Sequence, residues 1–112
     1  MGSLRTLARW IRSWQGRRRW HVGKVITSIH DLPPQIPYGV AVLVANGRIM
    51  KWLAFDCPCR EDHQVLLNLN PSIHPNWTVK ASKPLTVTPS IDELRGGKRC
   101  HYFIRDGRIE WT

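Results

Sequence analysis

Residues 40–55, VAVLVANGRIMKWLAF, decide the fold class. Two runs rich in β-branched and aromatic residues flank Asn46-Gly47, a pair that favours the tight primed turns of β-hairpins. Gly47 is expected at positive φ in a type I′ turn. Downstream, HQVLLNL, then WTVKA and LTVT interrupted by Ser-Lys-Pro, read as further strands. HYFIR and RIEWT flank Asp106-Gly107, a second primed-turn signal with Gly107 at positive φ. Upstream, VGKVITSI is a first strand, and DLPPQIPYG is a loop because proline cannot donate into a ladder. PSIDELRGGKR, residues 89–99, suggests one helical turn broken at Gly96-Gly97. The expectation is a mainly β, small antiparallel domain of about seven strands over residues 21–112.

The pattern changes before residue 21. Leu4, Leu7, Ala8, Ile11 and Trp14 recur at helical spacing, with Ser3 as N-cap and Gly16 as terminator. Residues 3–15 therefore predict an amphipathic helix within a basic arm, residues 1–20. Residues 1–24 hold seven Lys/Arg and no acid, whereas the rest hold ten basic and eight acidic residues. The net charge of +9 thus belongs mainly to the arm. Arg5, Arg9, Arg12, Arg17, Arg18 and Arg19, with Trp10 and Trp14, form its candidate partner surface. Arginine and tryptophan together suit a protein interface or, as the rival reading, stacking on single-stranded nucleic acid. Trp20 interleaves with the same arginines. Trp52, Trp77 and Trp111 lie in strands and are expected to be mostly core.

At 42% apolar and 22% charged, 112 residues suit one folded domain with a modest core. No apolar run reaches the ~20 residues of a membrane span, and the first residues lack a signal-peptide core. With three cysteines, an odd number, the expectation is a reduced, cytoplasmic protein.

Cys57-Pro-Cys59 lies between two strands, where proline stiffens the bend and two thiolates can meet one ion. Cys100 and His101 enter the last hairpin. The expected centre is structural zinc on Cys57, Cys59, Cys100 and His101. His63 is the alternative fourth ligand, favoured if Cys100 and His101 lie in an extended strand and point to opposite faces. An iron–sulfur cluster is the alternative cofactor. A Cys100 thiolate activated by His101 or His63 would instead make a thiol-dependent acyl-transfer enzyme. No serine sits in a nucleophile elbow, and no phosphate loop or dinucleotide pattern occurs, so catalysis is not the favoured reading.

The stretches KWLAFDCPCREDHQVLLNL, NWTVKASKPLTVTPSI and CHYFIRDGRIEW together resemble an uncharacterised family of small bacterial β domains. Its members share a CPC knuckle, a Trp-Thr strand, a Pro-Ser-Ile turn and a final His-aromatic-aromatic-Ile-Arg-x-Gly hairpin. The likeness runs from about Val25 to Trp111. It implies a metal-binding β domain with Cys57, Cys59, Cys100 and His101 at the motif positions. Relatives often carry Gly-Cys where this chain has Arg60-Glu61. Some members stand beside ubiquitin-like conjugation genes linked to phage defence. The implied function is a zinc-stabilised adaptor that docks protein partners of such a pathway.

Overall fold

A computed structural model describes residues 19–59 and 63–112; the predicted helix, with Arg5, Arg9, Trp10, Arg12, Trp14, Arg17 and Arg18, lies outside the described residues. Among the described residues, eight strands form two four-stranded sheets. The first sheet has the order β1 (His21–Ile26), β2 (Val40–Asn46), β3 (Ile49–Asp56), β4 (Gln64–Asn68). The second has β5 (Thr78–Ser82), β6 (Leu85–Arg95), β7 (Lys98–Arg105), β8 (Arg108–Trp111). Among the described residues no helix is long and apolar enough to cross a membrane.

Three features depart from the sequence-based expectations. First, β1 pairs with β2 in parallel, not antiparallel. A parallel pair needs a crossover of about a dozen residues, and the proline-rich segment 27–39 provides one. Second, residues 89–95 are strand, not a helical turn, and Gly96-Gly97, both at positive φ, join Arg95 to Lys98 in a hairpin. The alternation was present in Ile91 (buried), Asp92 (exposed), Glu93 (half-buried) and Leu94 (exposed). The residue types hide that period of two, because acidic Glu93 takes the inner face and apolar Leu94 the outer one. Third, the β2–β3 turn is centred on Gly47-Arg48, because Asn46 pairs with Ile49. Gly47 has φ +61 and Arg48 is not at positive φ, the signature of a II′ turn in place of I′. Asp106 (φ 50) and Gly107 (φ 74) do form the I′-type pair.

One core joins the two sheets. Leu53, Phe55, Val65 and Leu67 of the first meet Leu85, Val87, Tyr102 and Ile104 of the second. Trp20, grouped with the arm by sequence, is only 4% exposed and packs edge-on against Phe55 and Tyr38. Its N–H donates to the Gly107 carbonyl at 2.8 Å, and its carbonyl accepts from Leu85 N–H at 2.8 Å. Trp20 thus stitches the entrance of the chain to two turns of the second sheet. Trp52 and Trp77 are half-buried, whereas Trp111 is exposed and stacks edge-on on Tyr102.

Candidate functional site

Strand β7 carries two chemistries on its two faces. Cys100 and Tyr102 point inward and are buried, while His101 and Phe103 are half-buried on the outer side. The neighbours Cys100 and His101 therefore diverge, as an extended strand requires.

On the inner face, Cys57, at the end of β3, and Cys59, in the following turn, meet Cys100. The three sulfurs lie within 4.8 Å of one another, and this group includes neither His63 nor His101. Cys59 and Cys100 are joined as a disulfide across 41 residues, which differs from the expected all-thiol set. Cys57 Sγ stands 2.9 Å from Cys59 Sγ. Tyr102 lies against this cluster, where burial, with Cys57 and Glu93 adding, pushes its hydroxyl pKa far above the usual range. Cys57 N–H donates to the His63 carbonyl at 3.0 Å, continuing the β3–β4 ladder beyond Asp56 and Gln64. Both ring nitrogens of His63 are buried with no hydrogen-bond partner. Buried polar atoms are rarely left so, and a metal ligand is one role that would satisfy one of them.

On the outer face, His101 Nε2 lies 3.0 Å from Ser90 Oγ. Ser90 owes its position to an irregularity in β6. Between the pairs Val87–Ile104 and Ile91–Tyr102, β6 spends three residues, Thr88, Pro89 and Ser90, against Phe103 alone. Such bulges re-aim side chains and recur beside active sites. The Trp77 indole donates to the Ser90 carbonyl at 3.2 Å and fixes the bulge from the β5 side. Trp77 is itself anchored, its N–H on the Asn68 carbonyl at 2.8 Å. Asp92 stands directly across the ladder from His101. Arg99 grips its carboxylate twice, at 2.8 and 2.6 Å. That fork holds the Asp92 pKa below the usual carboxylate value and the Arg99 pKa above its own.

The structure thus gathers Cys57, Cys59 and Cys100 and places His101 on the other side of the strand, against Ser90. Arg19, the one arm residue of the predicted partner surface that is described, is exposed. Ser90 sits in no nucleophile elbow, since that motif belongs to a strand–turn–helix and Ser90 lies in a bulge inside a sheet. A signal was nonetheless present: Ser90 belongs to the Pro-Ser-Ile motif and His101 to the His-aromatic-aromatic motif.

Residues 28–112 match a family model described as bacterial ubiquitination-like system serine protease (BubE). No curated protein and no solved structure matches the chain.

Proposed function

The chain belongs to the BubE family and so to bacterial ubiquitination-like systems, and we propose that it is a serine peptidase acting through Ser90 and His101 on a polypeptide of such a system. The 3.0 Å contact between Ser90 Oγ and His101 Nε2 carries this reading. A serine hydroxyl is a weak nucleophile unless a base within hydrogen-bond reach accepts its proton. In the proposed reaction Ser90 Oγ attacks the scissile carbonyl while its proton passes to His101 Nε2. The C–N bond then breaks, and His101 returns the proton to the leaving amine. Water, deprotonated by the same ring, releases the acyl group and restores Ser90. Asp92 stands opposite His101 with its carboxylate in the Arg99 fork, an exposed ion pair beside the imidazolium that forms. These observations favour a peptidase over the adaptor and over the Cys100 acyl-transfer enzyme, since Cys100 faces the core.

The thiol cluster supplies a second, structural element. Tetrahedral zinc with Zn–S of about 2.3 Å sets its sulfurs about 3.8 Å apart, and three sulfurs within 4.8 Å need only small shifts once Cys59 and Cys100 are reduced. His63, across from Cys57 with two unpartnered ring nitrogens, suits the fourth position better than His101. An ion there would clamp the β3–β4 turn to Cys100, and so hold the adjoining His101 in register. Protein purified under reducing conditions should then carry about one zinc per chain. His63→Ala should lose it and His101→Ala should keep it; the reverse would return His101 to the ligand set. Iron and sulfide with visible absorption would assign a cluster instead.

The peptidase is tested by incubating the protein with the ubiquitin-like protein of its system and mapping new termini by mass spectrometry. Ser90→Ala and His101→Ala should fold and lose cleavage by about 10³-fold or more. Cleavage that survives Ser90→Ala would refute the assignment.

A further inference from the structure

The same bulge that aims Ser90 separates two halves of β6 with different neighbours. β6 runs eleven residues, Leu85–Arg95, but β5 pairs only with Leu85, Thr86, Val87 and Thr88. Beyond Thr88, the Trp77 indole occupies the Ser90 carbonyl, and no described strand continues along that side. β7 covers the other side as far as Arg95–Lys98.

The backbone orientation follows from the turn. A two-residue loop makes its flanking pair, Arg95 and Lys98, a hydrogen-bonded pair, and such pairs alternate along an antiparallel ladder. Arg95, Glu93 and Ile91 therefore direct their N–H and C=O groups toward β7. Asp92 and Leu94 direct theirs to the open side. The His101 carbonyl, opposite Asp92, accepts from Thr112 N–H at 3.1 Å on the far side, as this alternation requires. Leu94 is 71% exposed beside these groups.

We propose that the open edge of β6 at Asp92 and Leu94 is the peptide-binding subsite of this enzyme, taking an extended segment of the polypeptide substrate as an added strand. This rests on the peptidase reading, which fixes the occupant as a polypeptide. A free edge with unpaired N–H and C=O groups recruits extended chains by main-chain hydrogen bonds. Ser90 lies two residues, about 7 Å, from Asp92 along the strand. A segment paired at Asp92 and Leu94 therefore delivers its next carbonyls to the bulge where Ser90 Oγ and His101 wait. Main-chain recognition also demands that the cleaved segment be unfolded, so a flexible tail is cut and a compact domain is spared.

Leu94→Pro removes one outward donor without touching the β7 ladder, a position where a strand tolerates proline. The variant should keep the wild-type far-UV spectrum and should still be labelled at Ser90 by a fluorophosphonate. Its kcat/KM on a peptide spanning the mapped cleavage site should fall about tenfold, through KM. In the Ser90→Ala protein, the same peptide should slow amide exchange at Asp92 and Leu94. Retained labelling with unchanged cleavage by Leu94→Pro would overturn the subsite and leave the peptidase standing. Loss of labelling in the wild type would overturn the peptidase itself. If Leu94→Pro misfolds, absence of protection at Asp92 and Leu94 in the exchange experiment refutes the subsite. Protection there without peptide, lost on dilution to monomer, would assign the edge to self-association and equally overturn it.

Discussion

Gly47 and Gly107 both sit at positive φ, yet their neighbourhoods differ. A Cβ at Gly47 would meet nothing within 4 Å, whereas one at Gly107 would lie 2.5 Å from Arg19 Cβ, 2.9 Å from the Trp20 carbonyl and 3.0 Å from Pro84 Cβ. Gly47→Ala should therefore cost only the left-handed backbone penalty, roughly 1–2 kcal/mol. Gly107→Ala should cost clearly more, because the chain entering at Trp20 must move. Chemical denaturation of the two variants compares them directly; equal losses would contradict the packing. Positive φ at both glycines was legible in the sequence, since the turn pairs announce it. The contact of Gly107 with Trp20 was not, because it joins residues nearly ninety positions apart. The same holds for Ser90 and His101: each lay in a recognisable motif, but nothing local says that a bulge brings them to 3.0 Å.

At the scale of elements, strand parity decides the site. In β7 the alternation sends Cys100 to the core and His101 to the surface, so one strand carries both the cysteine anchor and the proposed base. Three cysteines could be assigned together from sequence because two share a knuckle and the third begins a hairpin. The face that His101 takes was legible only conditionally, on whether the strand is extended there, as it is. β6 was the element least readable: its acidic residues mimic a helix start, and pairing with β7 overrides that local preference. This arrangement predicts that Cys100→Ser loosens the anchor and, through it, the neighbouring base. The variant should lose about 2–5 kcal/mol of stability, whether the tie is a disulfide or an ion. Its cleavage rate should fall even at temperatures where it is fully folded. A folded Cys100→Ser with wild-type cleavage would show that the two faces of β7 are independent.

At the scale of the molecule, two four-stranded sheets share one core, and Trp20 is the wedge where the chain enters it. The hairpins at Asn46-Gly47 and Asp106-Gly107 and the overall β class followed from composition and turn residues; the β6–β7 hairpin, the parallel β1–β2 pair and the partition into two sheets did not. Removing residues 1–18 should leave the domain folded and cleaving. Extending the deletion through Trp20 should destabilise it by roughly 3–5 kcal/mol, the usual cost of losing a buried aromatic. Thermal melts of the two truncations check this, and equal melting would contradict the wedge. The most direct test of the whole account is intact-mass spectrometry after treatment with a fluorophosphonate. A single adduct on Ser90, absent in Ser90→Ala and formed at least a hundredfold more slowly in His101→Ala, is the predicted result. An adduct on another residue, or labelling of Ser90 at the same rate without His101, would contradict it.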